Sequence, residues 1–177
     1  VRSDTYYLAR LLPLLGASGS HFLTGAPVVQ LEQGQRRIYN SAVLFDPHGR
    51  IVGRYDKKLL LPLAEYQPGL LDALGPLWEP VRRQLTGLQV SAGASGSPLR
   101  FGDVTLRLRM CHEAIFPDPG ADANDEHRGL LINLTNDAWF NSAGGRGQHF
   151  QQARVRAVEL GRPMLRLANR GVSATID

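Results

Sequence analysis

The run GLLINLT (129–135) constrains the fold more than any other stretch of the chain. It is continuous, apolar and strand-length, and it ends in the turn-forming pair Asn136-Asp137, which marks a strand covered on both faces. A strand of that kind needs a layer on each side. Other segments supply candidates. VTLRLRM (104–110) alternates apolar and polar residues and runs straight into Cys111. RIYNSAVLFD (37–46) and RIVGRYD (50–56) flank Asp46-Pro47-His48-Gly49, whose residues suit a type I turn, so a β-hairpin is expected there. HFLTGAPVV (21–29), MLRLAN (164–169) and GVSATI (171–176) read as further strands. Apolar residues at helical spacing predict helices over 4–15 and 148–160, the second with Phe150, Ala153, Ala157 and Leu160 on one side. Pro13 is expected to end or kink the first. Residues 57–69 read as a loop and 70–86 as a short, proline-interrupted helical stretch. GASGSP (93–98) is a local connection, since the strand pattern resumes at once. Intermixed strands and helices around buried strands predict an α/β layered fold.

A chain of 177 residues suits one domain with a real core. Its formal charge of +4 is carried almost wholly by arginine, Lys57 and Lys58 being the two lysines. The arginines are scattered, so they read as solvated faces and not as a nucleic-acid or headgroup patch. The single cysteine excludes a disulfide within the chain. No apolar run approaches the roughly 20 residues that cross a bilayer. His21, His48, His112, His127 and His149 lack zinc-ligand spacing, and SAGGRG (142–147) lacks the Walker pattern, so neither metal nor cofactor is expected. Val1 begins the chain without a signal-peptide pattern, and Asp177 follows a strand-like run. Both ends are expected to have been cut from something larger.

The chemistry centres on Cys111, at the end of a strand and followed by His112 and Glu113. A strand that ends in a nucleophile and turns into a helix exposes the side chain and aims backbone N–H groups at a developing oxyanion. The same cysteine also fits a buried structural thiol. Lys57, after Tyr55-Asp56 at a strand end, suits either an oxyanion-stabilising ammonium or a surface lysine; Lys58 should point the other way, to solvent. Glu65 is placed to orient the lysine, or is a loop glutamate. Glu113 is placed to order the turn or contact the lysine, or is an acid favoured by a helix N-terminus. Asn136, Asp137, Trp139 and Phe140 leave the carboxyl end of the buried strand, where ligand sites form; they suit an acyl pocket or an Asx turn with a core tryptophan. Adjacent residues diverge, so a direct Cys111–His112 dyad is not expected.

Order and spacing carry more than any single residue. YDKKLLLPLAEY (55–66), RMCHE (109–113) and NLTNDAWF (133–140) resemble the nitrilase, or carbon–nitrogen hydrolase, superfamily. YNSAV (39–43) and QHFQQARVRAVELGRPMLRLANRGVSA (148–174) narrow the resemblance to its apolipoprotein N-acyltransferase branch, over almost the whole chain.

The resemblance implies an αββα sandwich, truncated at both ends, and Glu-Lys-Cys chemistry. Cys111 matches the nucleophile and Lys57 the catalytic lysine; Glu65 and Glu113 match two supporting glutamates. The His112 backbone N–H would help hold the oxyanion, and Asn136, Asp137, Trp139 and Phe140 match a region beside the acyl pocket. The general-base glutamate should precede residue 1, so no residue here takes that role and the fragment alone is expected to be inactive. The implied reaction moves an acyl chain from a phosphatidylethanolamine-like phospholipid, through a cysteine thioester, to the α-amine of an apolipoprotein's diacylglyceryl-cysteine. The implied location is the periplasmic side of a bacterial inner membrane, with flanking transmembrane helices outside this chain. His112, Ala64 and Asn141 depart from residues common in the branch, which bears on loop shape and acyl-chain preference. The main alternative is a soluble amidase of the same superfamily, acting on a small C–N substrate.

Overall fold

The structure, a computed structural model, describes residues 2–69, 73, 75, 89–94, 98–116 and 129–177. The helical stretch expected over 70–86 lies outside them, apart from residues 73 and 75.

The chain opens with α1, Arg2–Ser18, which continues through Pro13 instead of ending there. A proline removes one backbone donor. Leu11 and Leu15, on either side of it, pack against Val43 and Phe45 and hold the helix past the defect. Three antiparallel strands follow: β1, Phe22–Glu32, β2, Gln35–Phe45, and β3, Ile51–Asp56. Gln33 and Gly34, with φ of 51° and 79°, form the two-residue turn between β1 and β2. This is the geometry that matches strand twist in tight hairpins. The β2–β3 turn forms where the sequence predicts it. Asp46 Oδ1 accepts the N–H of His48 at 2.9 Å and of Arg50 at 2.8 Å, and Gly49 takes a φ of 77°.

A second sheet has the order β4-β5-β6-β7-β8. Its members are β4, Leu99–Phe101, β5, Val104–Met110, β6, Leu130–Asn136, β7, Met164–Asn169, and β8, Ala174–Ile176. The central strands β5, β6 and β7 are parallel, and β4 and β8 flank them antiparallel. Helix α2, Ala143–Leu160, joins β6 to β7. It begins earlier than the apolar spacing predicts, because Gly144, Gly145 and Gly147 add no apolar signal. Its start is set by the Ser142 hydroxyl, which accepts the Gly145 N–H at 3.1 Å.

Side-chain alternation turns these pieces into four layers. Ala42 and Leu44 face Leu106, Leu108, Met110, Ile132 and Leu134 between the sheets. Val43 and Phe45 face α1 on the outside of the first sheet. Leu131 and Met164 face Ala153 and Ala157 of α2 on the outside of the second. The order is helix, sheet, sheet, helix, the αββα sandwich that the resemblance implies. Strand β6 is covered on both faces, as its apolar run requires.

Candidate active site

The parallel strands β5, β6 and β7 all end at one edge, and the chemistry-bearing residues gather there. Strand β5 delivers Cys111 to that edge, where the chain turns into a short 3-10 helix, Cys111–Ile115. Cys111 itself has a φ of 51°. That left-handed conformation costs a non-glycine residue about 1–3 kcal/mol and persists only where the surroundings impose it. The cysteine is partly exposed and not sealed in the core.

Glu113 is the first restraint on this turn. Its buried carboxylate accepts the Met110 N–H at 2.7 Å and the Tyr55 hydroxyl at 3.0 Å through Oε2. Through Oε1 it accepts the N–H groups of Lys58 at 2.7 Å and Leu59 at 2.9 Å. One carboxylate therefore ties the residue before Cys111 to the residues after Lys57. On the other side, the Arg156 guanidinium of α2 donates to the carbonyls of Ala114, at 3.3 Å, and Ile115, at 2.8 Å.

Lys57 continues from β3 and is 2% exposed. Its N–H donates to the Asn40 carbonyl and its own carbonyl accepts the Gly93 N–H, both at 2.8 Å. Gly93 has to be glycine, since a Cβ there would lie 2.4 Å from the Asp56 carbonyl oxygen. A buried ammonium needs a counter-charge, and Glu65 supplies it: Lys57 Nζ donates to Glu65 Oε2 at 2.6 Å. The Leu61 N–H, at 2.7 Å, and Asn40 Nδ2, at 3.0 Å, complete the cradle of that carboxylate. Burial pushes the Glu65 carboxyl up, but Lys57, Leu61 and Asn40 together outweigh it and hold the group below the usual range. Lys58 is partly exposed and lies over the Tyr55 ring, 5.7 Å from its centroid.

His112 is buried, with its ring edge-on to Phe116 at 5.6 Å. Burial first, and then the positive charge of Lys57, lowers its pKa to about 4. It is neutral at physiological pH.

The four residues after β6 separate. Asn136, Trp139 and Phe140 lie at the surface, Trp139 being 73% exposed, whereas Asp137 is fully buried. Asn136 Oδ1 accepts the Ala138 N–H, so an Asx-type turn is present, but Trp139 is not a core residue. Asp137 Oδ2 accepts from Arg166 at 2.8 Å, and Oδ1 accepts from Thr135 at 3.0 Å and from His149 Nδ1 at 2.8 Å. Burial raises the Asp137 carboxyl, and His149, Arg166 and Thr135 reverse this, leaving it below the usual range. Sequence reasoning passed over Asn133 and Arg166, whose one signal was a polar residue inside an apolar strand run, GLLINLT and MLRLAN, and it weighed His149 only as a zinc ligand.

The family model for carbon–nitrogen hydrolases matches residues 4–177. The chain belongs to that family. This carbon–nitrogen hydrolase domain is 39% identical over 175 residues to an apolipoprotein N-acyltransferase of Bradyrhizobium diazoefficiens. It is 41% identical over 178 residues to one of Rhodopseudomonas palustris. Each match covers 96% of this chain and 31% of the relative, so the chain spans about a third of the length of these curated relatives. Among solved structures it is similar to the C. elegans NitFhit protein, with a TM-score of 0.64 and 18% identity over 98% of this chain and 38% of that one. At that identity the likeness establishes the fold alone.

Proposed function

We propose that this domain belongs to an N-acyltransferase that carries a fatty acyl chain on Cys111. The chain would pass from a phosphatidylethanolamine-like phospholipid to the α-amine of an apolipoprotein's diacylglyceryl-cysteine. The observation that carries this reading is the left-handed, partly exposed Cys111 tied through Glu113 to the segment bearing the buried Lys57. The similarity to apolipoprotein N-acyltransferases supports the acyl donor and acceptor.

In the first half-reaction the Cys111 thiolate attacks the sn-1 ester carbonyl. A C–S bond forms, and the carbonyl oxygen becomes an oxyanion facing Lys57 and the His112 backbone N–H. Collapse breaks the C–O bond, and the lysophospholipid leaves with the proton the thiol gave up. In the second half-reaction the α-amine attacks the thioester, a C–N bond forms, the amine loses a proton and the thiolate departs. The proton acceptor is assigned to a glutamate on a segment preceding residue 1. Glu65 is a poor base, because Lys57 holds its carboxylate ionised. Its part is to keep the ammonium in place. Asn136, Trp139 and Phe140 are assigned to the acyl-chain approach, with buried Asp137 anchoring their loop from within. No described helix is long and apolar enough to cross a membrane. Anchorage in a bacterial inner membrane, with this domain on the periplasmic side, is assigned to segments outside the chain.

Purified full-length parent protein, given phosphatidylethanolamine vesicles and a diacylglyceryl-cysteine peptide, should yield N-acylated peptide and lysophospholipid in equal amounts. Release of ammonia from small amides without peptide acylation would replace this reading with that of an amidase.

A further inference from the structure

Glu113 holds the Met110 N–H, on the amide side of Cys111, so the left-handed backbone of Cys111 needs a separate restraint on its carbonyl side. Asn133, in the middle of β6 and fully buried, supplies it. Its Nδ2 donates to the carbonyl of Arg109 at 2.7 Å and to the carbonyl of Cys111 at 3.2 Å. An asparagine amide can be turned either way round, and a third group decides which. The Arg166 guanidinium contacts Asn133 Oδ1. Arginine only donates, so oxygen must face Arg166 and the NH₂ must face the two carbonyls. Arg166 is held in turn by the ion pair with Asp137, and both side chains are fully buried. A carboxylate only accepts, so His149 Nδ1 presents its hydrogen to Asp137. The connection runs from α2 through the Asp137 loop, β7 and β6 to the carbonyl of the cysteine.

We propose that Asn133 is a positioning residue for the nucleophile: its amide, locked in one orientation by Arg166, fixes the peptide that presents Cys111 Sγ, without touching substrate. The inference rests on the reading of Cys111 as the acyl carrier. It accounts for an amide inside an otherwise apolar strand, and for Gly171, where a Cβ would stand 2.1 Å from Asp137 Oδ2. A misplacement of about 1 Å at a reacting atom lowers rate by about 100-fold.

The test uses the full-length parent protein and three variants. Asn133→Asp keeps an acceptor toward Arg166 but turns a second oxygen on the carbonyls of Arg109 and Cys111. Asn133→Ala removes both contacts. Leu131→Ala, on the α2 side of the same strand, is the control for lost stability alone. Rates are taken per folded molecule, with the folded fraction read from near-ultraviolet circular dichroism. Both Asn133 variants should lower kcat for acylation by about 100-fold while leaving the phospholipid KM within about twofold. Leu131→Ala should retain kcat per folded molecule. An Asn133 variant with wild-type kcat, or a loss of kcat no greater than in Leu131→Ala, overturns the proposal. Acyl transfer surviving Cys111→Ala would instead overturn the reading beneath it.

Discussion

Glu113 Oε1 accepts the backbone N–H of Lys58 at 2.7 Å, so a carboxylate two residues beyond Cys111 sets the position of the segment that carries Lys57. Its other oxygen holds Met110. The two halves of the candidate site, far apart in sequence and from different sheets, thus share one anion as their joint.

Glu113→Gln tests that joint. The amide keeps one acceptor but turns an NH₂ toward donors that previously met oxygen. Leaving two N–H groups facing it unsatisfied should destabilise the domain by about 2–4 kcal/mol. Thermal unfolding of the parent protein reads the loss, and acylation should fall further than the folded fraction does.

The two lysines should behave differently. Lys57→Ala removes the ammonium paired with Glu65 and should abolish turnover while leaving most of the protein folded, since Leu61 and Asn40 still cradle that carboxylate. Lys58→Ala keeps the N–H that binds Glu113 and should retain activity. Loss in Lys58→Ala with activity retained in Lys57→Ala, in the acyl-transfer assay, would mean the roles are reversed.

His112 gives a pH signature. Its pKa is about 4 in the folded chain against an ordinary 6.5, so the folded state favours the neutral ring. The stability this contributes is complete above pH 6.5 and is lost as the pH falls from 6.5 towards 4, where the unfolded chain binds a proton the folded one refuses. Allowing for solvent near the site, the loss is on the order of 2 kcal/mol. Denaturant unfolding at a series of pH values should show this slope, and His112→Phe should flatten it.

Gly171→Ala addresses the buried ion pair. The added methyl would overlap the Asp137 carboxylate and should cost about 1–3 kcal/mol, as overpacking does. Calorimetry of the variant checks this, and a wild-type Tm would show that the loop after β7 yields freely.

The sequence made legible what local pattern encodes. The hairpin at Asp46–Gly49, the doubly covered β6 and the strand running into Cys111 each follow from turn chemistry or period alone. Order and spacing also singled out Lys57 and Glu65, which the fold joins by a direct hydrogen bond, and Glu113, which reaches the same segment through the Lys58 N–H. Pro13 misled because tertiary packing of Leu11 and Leu15 overrides a single lost donor. The glycines before Gln148 hid the first turn of α2. Asp137 belonged to the candidate loop in sequence, yet its carboxylate points inward to Arg166 and His149. Residues that far apart meet only after β6 and β7 pair, so no window along the chain contains them.

Intact-mass spectrometry of the full-length parent protein, incubated with phosphatidylethanolamine and no acceptor amine, is the most direct test of Cys111 as the acyl carrier. The expected result is a mass increase of one fatty acyl group, mapped to Cys111, released by hydroxylamine and absent from Cys111→Ala. Acyl transfer to peptide with no adduct on Cys111, or an adduct that persists in Cys111→Ala, would contradict it.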